Sequence, residues 1–154
     1  MADAPHIMIV EARFYDDIAD ELVRGATQLL DAAGASYERH GVPGAFEIPA
    51  AIRFAVRSFD LFSGGRRFDG YVALGCVIRG ETSHYDYICA ESARALQDLA
   101  CTYSLALGYG ILTVENHEQA WARAAVDQVN KGGVAAQTCL DMIALKTHFR
   151  LYPR

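Results

Sequence analysis

The stretch YVALGCVIRGETSHYDY, residues 71–87, carries the pattern on which the fold turns. Tyr71 to Ile78 is almost unbroken in apolar residues, as a parallel strand is when helices cover both its faces. Directly after it come Gly80, Glu81, Thr82, Ser83 and His84. A connecting turn needs only the glycine, so a carboxylate, two hydroxyls and an imidazole at that spot are aimed at something. Beyond the turn, Ile88, Ser92, Ala95, Leu96 and Leu99 recur at helical spacing. Strand, polar turn and helix in that order form one unit of a layered α/β fold.

The unit repeats on either side. Buried strands are predicted at His6 to Ala12, Ala35 to Val42, Gly70 to Ile78 and Leu107 to Val114. Ile18, Leu22, Ala26, Leu29 and Ala33 share one helix face, with Asp16 or Asp17 suited to cap its start and Gly34 its end. A second helix is expected from Pro49 to about Phe59. Asn116 followed by Gln119 resembles a capping box that opens a fourth helix through Trp121 and Val126. The last runs from about Gly133 to Tyr152, with Ala136, Leu140, Ile143 and Thr147 on one stripe. This alternation predicts a three-layer α/β/α sandwich, a four-stranded parallel sheet with helices on both faces. The one loop-like insertion, Ser58 to Asp69, reads as solvated.

Bulk properties narrow the class. The 154 residues form one domain, 1–154, large enough to fold without staples. A net charge of −5 argues against nucleic acid as a partner. No apolar run approaches the roughly 20 residues of a membrane span. The opening Met-Ala-Asp-Ala-Pro-His lacks the basic and apolar regions of a signal peptide. Cys76, Cys89, Cys101 and Cys139 form no CxxC pair. They read as small core residues in a reducing cytoplasm rather than as a zinc site or a disulfide framework.

In open α/β sheets ligands bind outside the carboxyl ends of the strands. The residues that follow the four strands are Arg13-Phe14-Tyr15-Asp16, Pro43 to Pro49, Arg79 to His84, and Glu115-Asn116-His117. Aromatics, carboxylates, hydroxyls and imidazoles thus gather at one sheet edge, the layout of a pocket for a small, planar, polar ligand. Gly80 to Ser83 leads into a helix, where unpaired N–H groups and the helix dipole suit a phosphate. A plain N-cap by Thr82 or Ser83 explains the same hydroxyls. Glu81 is expected to point away from an anion. His84 can move protons near neutral pH, or be an ordinary surface histidine. His6, His40, His117 and His148 lack comparable neighbours. Phe14 and Phe46 lie in turns among polar residues, unlike most phenylalanines.

Five stretches, VEARFYD (10–16), VPGAFEIP (42–49), LGCVIRGETSHYDY (74–87), YGILTVENHEQA (109–120) and NKGG (130–133), closely resemble the lumazine synthase family in its order and spacing. The resemblance covers nearly the whole chain. It implies a flavodoxin-like fold and the penultimate step of riboflavin biosynthesis. In that step 5-amino-6-(D-ribitylamino)uracil condenses with 3,4-dihydroxy-2-butanone 4-phosphate to give 6,7-dimethyl-8-ribityllumazine, phosphate and water. The family uses no metal or organic cofactor, so none is expected. By resemblance, Phe14 stacks on the pyrimidine. Ala45, Phe46 and Glu47 line the pocket, with Glu47 on the ribityl hydroxyls. Cys76, Val77 and Ile78 offer backbone groups. Glu81 and Thr82 present N–H groups to the phosphate, which Arg123 pairs. His84 transfers protons, and Tyr109 and Lys131 complete the pocket.

The chain departs from the family at Tyr109, where phenylalanine is common, and at Cys76, where threonine is common. Its Ser58–Asp69 segment is longer than in many relatives, and it is expected at the edge away from the site. The family places its site between subunits, with the residue at Tyr109 reaching in from the neighbour. That implies a homopentamer, and some relatives build a sixty-subunit shell. A short N-terminus with Pro5, which cannot donate to a sheet, favours the free pentamer. Two other readings remain at this point, a binding module that holds a flavin or lumazine without turnover and a monomeric flavodoxin-like signalling domain.

Overall fold

The structure, a computed structural model, describes residues 4–62 and 64–151. Four parallel strands form one sheet in the order β2-β1-β3-β4. They are β1 (His6–Ala12), β2 (Ser36–Val42), β3 (Gly70–Ile78) and β4 (Leu107–Val114). Five helices connect and cover them: α1 (Asp16–Ala32), α2 (Ile48–Leu61), α3 (His84–Tyr103), α4 (His117–Ala124) and α5 (Lys131–His148). This is the expected α/β/α sandwich. No helix among the described residues is long and apolar enough to cross a membrane.

Two cores sit on the two faces of the sheet. Alternation along β1 sends Ile7 and Ile9 to one face, where they pack with Leu22, Leu30, Val72, Leu74 and Cys139 under α1 and α5. Met8, Val10 and Ala12 go to the other, against Ile48, Ile52 and Leu96 of α2 and α3. β3 is buried from Gly70 through Cys76, as its apolar run requires.

One strand departs from expectation. β2 is mostly exposed, not buried, and Ala35 precedes it. It is an outer strand carrying Glu38, Arg39 and His40, and charges on such a strand discourage edge-to-edge pairing. Glu38 lies 3.1 Å from His40 and 3.5 Å from His6.

Helix ends also differ in detail. Tyr15 is the N-cap of α1, and neither Asp16 nor Asp17 caps it; both lie in the first turn, where the dipole favours them. Gly34, at φ +74°, follows the end of α1 as expected. Asn116 caps α4 by accepting from the Gln119 N–H at 2.9 Å, while the Gln119 side chain reaches the Glu115 N–H, one residue beyond a standard box. α4 stops at Ala124, short of Val126, because Ala125 turns extended. α5 begins at Lys131, before Gly133, with Asn130 in the left-handed region accepting from the Gly133 N–H. It ends at His148, and Tyr152 lies outside the described residues.

Glycines let α5 press against its neighbours. A Cβ on Gly132 would lie 1.9 Å from the Leu22 carbonyl oxygen of α1, and one on Gly108 of β4 would lie 1.9 Å from that of Ala135. The insertion, described apart from Ser63, runs into the amino end of β3 at Gly70, with Gly64 and Gly65 exposed at positive φ. Its basic pair is not merely solvated. Arg66 donates to the Ala4 carbonyl and Arg67 to that of Phe59.

Candidate active site

The chain leaves β1 for β2 on one side and returns to β3 on the other, so the connections diverge between β1 and β3. Divergence of that kind opens a crevice at the carboxyl ends. A cavity of about 670 Å³ lies there, within the size range of small-molecule pockets. Phe14 and Tyr15 line it from the end of β1, Pro43 to Glu47 from the end of β2, Cys76 to Ile78 from β3, and His84, Tyr87 and Ile88 from α3. Smaller hollows of about 370 and 400 Å³, between α2 and α3 and beside β2, lie away from the strand ends.

The floor is backbone. Pairing between β1 and β3 stops at Glu11 and Leu74, whereas β3 runs on to Ile78, paired with β4 as far as Val114. Gly75 to Ile78 therefore present an edge without a ladder partner on the β1 side. Free N–H and C=O groups along such an edge match a flat heterocycle that carries both donors and acceptors. Gly75 lets the walls close in, since a Cβ there would meet that of Ala12 at 3.2 Å and that of Ala45 at 3.8 Å.

The walls are aromatic. Phe14, Phe46 and Tyr87 are 70%, 57% and 67% exposed, far from the usual fate of such side chains. The Phe14 ring meets Tyr15 edge-on at 4.9 Å. A single 3₁₀ turn, Ala45–Glu47, buries Ala45 as an anchor and turns Phe46 and Glu47 outward. The Glu47 carboxylate lies over Gly44, 3.4 Å from where a Cβ would stand. His84 is the first residue of α3, and Tyr87 and Ile88 follow it three and four positions on, on the same face.

The polar turn sits beside this rim. The Thr82 hydroxyl accepts from the His84 N–H at 3.3 Å, while the Ser83 side chain makes no cap. Glu81 and Thr82 are exposed and lie outside the cavity lining. Among the described residues the N–H groups of Glu81, Thr82 and Ser83 make no hydrogen bond. Arg79 pins the turn: it donates to Glu115 at 2.8 Å and to Asp86 at 3.4 Å, with its guanidinium 4.3 Å from the centre of the Tyr85 ring. The Cys76 thiol is pushed up to about 12 by burial and, secondarily, by Asp17. It stays protonated at neutral pH and is no nucleophile.

Eight of the residues singled out in the sequence meet in the cleft: Phe14, Ala45, Phe46, Glu47, Cys76, Val77, Ile78 and His84. Three others stand elsewhere in the chain. Tyr109 is the third residue of β4, five residues before its carboxyl end, roughly 16 Å along the strand. Burial pushes its phenol above the ordinary range. Arg123 lies exposed on α4 and donates to the Gln119 carbonyl, and Lys131 opens α5. The sequence places Tyr15, Pro43 and Gly44 at this edge without a role of their own, and it does not bring Tyr87 and Ile88 to the site. The signal for the last two was their helical spacing from His84.

A family model described as 6,7-dimethyl-8-ribityllumazine synthase matches residues 4–147. The chain is 62% identical over 141 residues to 6,7-dimethyl-8-ribityllumazine synthase 1 of Rhizobium meliloti (strain 1021), covering 92% of this chain and 91% of that protein. It is 56% identical over 145 residues to the 6,7-dimethyl-8-ribityllumazine synthase of Bartonella bacilliformis, covering 94% and 92%. It is 58% identical over 142 residues to that of Agrobacterium fabrum, covering 92% and 95%. A match over almost the full length, joined to a cleft built where the shared motifs converge, places this chain in the 6,7-dimethyl-8-ribityllumazine synthase family.

Proposed function

We propose that this chain condenses 5-amino-6-(D-ribitylamino)uracil with 3,4-dihydroxy-2-butanone 4-phosphate to form 6,7-dimethyl-8-ribityllumazine. The observation that carries the reading is the cleft itself. An unpaired strand edge, Gly75 to Ile78, lies beneath exposed aromatics with an imidazole at the rim. A uracil ring fits that edge with its alternating carbonyls and N–H groups, and Phe14 suits a stack on its face. Glu47, an acceptor, suits the ribityl hydroxyls.

The chemistry asks little of the protein in covalent terms. The donor is already an amine and the acceptor already a ketone. The 5-amino group adds to the ketone and loses water to give an imine; phosphate leaves by elimination; the ribitylamino nitrogen closes on the new carbonyl and a second water departs. Each step moves protons between neighbouring atoms. His84 is the group assigned to carry them, and a positioned shuttle adds typically ~10²–10⁴-fold. Holding both substrates in one cleft supplies a large further share of the acceleration by removing translational freedom. The unbonded N–H groups of Glu81 and Thr82, at the start of α3, suit the phosphate.

Tyr109, Arg123 and Lys131 line no part of the cleft in their own chain. Their assigned roles therefore require a second copy, and the reading takes the active form to be a homopentamer whose sites lie between neighbouring chains. The non-catalytic alternative has no use for an imidazole at the rim. The deciding experiment mixes purified protein with both substrates and follows lumazine fluorescence. Growth of product with turnover supports the reading. Stoichiometric flavin or lumazine binding without turnover refutes it.

A further inference from the structure

Phe14 projects into the cleft from the three-residue loop between β1 and α1 and is not wedged in either core. Something other than packing must set its position. Among the described residues two polar side chains are buried, Ser92 and Glu11. Glu11 stands in the otherwise apolar β1, three residues before Phe14, on the face that α1 covers. A buried carboxylate is costly unless every lone pair is met by a cation or donor. Here each oxygen is met. Arg39 of β2 grips it with two bonds, Nε to Oε2 at 2.9 Å and Nη2 to Oε1 at 2.8 Å. Arg13 adds Nη1 to Oε1 at 3.2 Å.

Arg13 in turn spends its whole guanidinium on carboxylates. Its Nε donates to Asp16 at 3.0 Å and its Nη2 to Asp20 at 2.5 Å, one turn further along α1. Its backbone N–H is fixed to the Val42 carbonyl at 3.0 Å. The residue immediately before Phe14 is thus clamped at three points, to the central strand, to the edge strand and to the start of α1. Glu11 is the hub of the clamp, because it alone joins Arg39 to Arg13.

We propose that Glu11, held by Arg39, is a positioning residue for the pyrimidine-stacking ring: it locks Arg13 and so sets the backbone from which Phe14 reaches the substrate. The inference rests on the reading above, in which Phe14 stacks on the ribitylaminouracil. It predicts an effect confined to one substrate, because that reading assigns Phe14 to the pyrimidine and not to the butanone phosphate. Arg39 serves best as arginine, since its two-pronged grip on one carboxylate has no lysine equivalent.

The test uses full-length Glu11→Gln, Arg39→Lys, Phe14→Leu and the double variant Glu11→Gln/Phe14→Leu, each checked for folding by circular dichroism. Glu11→Gln is expected to raise the KM for the ribitylaminouracil by roughly three- to tenfold, the worth of a well-placed aromatic contact. The KM for the butanone phosphate stays within about twofold and kcat moves less than the pyrimidine KM. Arg39→Lys, at a half-exposed position that tolerates change, shifts the same constant in the same direction by less. In the Phe14→Leu background the Glu11→Gln change adds less than about twofold, because the ring it positions is gone. An unaltered pyrimidine KM in both single variants overturns the proposal. So does an equal rise in both KM values, or an undiminished effect in the Phe14→Leu background. If the wild-type protein makes no lumazine, the enzyme reading itself falls, and that is seen before any variant is compared.

Discussion

Gly132→Ala puts the packing of α5 to the sharpest test. On helix propensity alone the change is favourable, by roughly 1 kcal/mol. The structure predicts the opposite sign. The new methyl would stand 1.9 Å from the Leu22 carbonyl oxygen, 2.7 Å from its carbon and 3.0 Å from its Cα. Those are backbone atoms in the middle of α1, and no rotamer change can move them. The helices must part by roughly an ångström to restore van der Waals distance. A helix of 18 residues is about 27 Å long, so such a shift along a strip about 8 Å wide opens on the order of 200 Å³. At about 24 cal/mol per Å³ the loss reaches about 5 kcal/mol, and a pivoting rather than a parallel shift halves it. Less the propensity gain, the net cost is about 1.5–4 kcal/mol. For a chain of this length each kcal/mol lowers the melting temperature by about 2–4 °C. The expected drop is therefore about 3–16 °C, read by circular dichroism at one fixed protein concentration so that any coupling of association to stability is held constant. Gly80→Ala, where no atom lies within 4 Å of the new methyl, is the control and should move the midpoint little. A Gly132→Ala midpoint at or above wild type would refute the packing argument.

Further predictions concern chemistry and pH. His84→Ala should lower turnover by tens-fold or more, towards the ~10²–10⁴ range of a proton shuttle, while thermal melting is unchanged because the side chain is exposed; unchanged turnover removes His84 from the mechanism. Phe14→Ala and Tyr109→Ala subunits, each inactive alone, should recover part of the activity when co-assembled, and no recovery counts against a shared site. Burial pushes Tyr71, Cys76 and Cys139 up to about 12. Below about pH 8 all three are largely protonated in folded and unfolded chains, and their contribution is fully present. Between about pH 9 and 12 the unfolded chain releases protons that the folded chain keeps. Stability should therefore fall as pH rises, by up to about 1.4 kcal/mol per pH unit for each group. A melting temperature that stays flat from pH 8 to 11 contradicts this.

The strands were legible because apolar runs in a doubly covered sheet are nearly continuous. β1, β3 and β4 fall where their runs begin and end. β2 was legible as a strand but not as an exposed one, since Tyr37 and Val42 look apolar while Glu38, Arg39 and His40 mark an edge only once the strand order is known. The start of α5 was missed because a left-handed Asn130 supplies its cap, and the reason for that geometry lies on α1. A Cβ on Gly25 would sit 2.0 Å from the Asn130 side-chain oxygen. For the site, residues that follow strand ends could be read from the succession of strands, and Phe14, Ala45, Phe46, Glu47 and His84 do meet, around the end of β3. Tyr109, Arg123 and Lys131 could not be placed that way, because none of them follows a strand end and none lines the cleft of its own chain. Glu11 gave a signal that went unread, a single carboxylate inside IMIVEA, residues 7–12.

The glycines that lead into the amino end of β3 have a practical consequence. Gly64 and Gly65 stand free, with no atom within 4 Å of where their Cβ atoms would be. The strand that begins at Gly70 carries the chain through nine residues, about 30 Å, before it reaches the rim of the cleft. Lengthening a surface connection costs little, about 0.6 kcal/mol for each doubling. A fluorophore, an affinity tag or a displayed peptide grafted at this tip would hang from the amino end of the sheet and leave the cleft at the carboxyl end undisturbed.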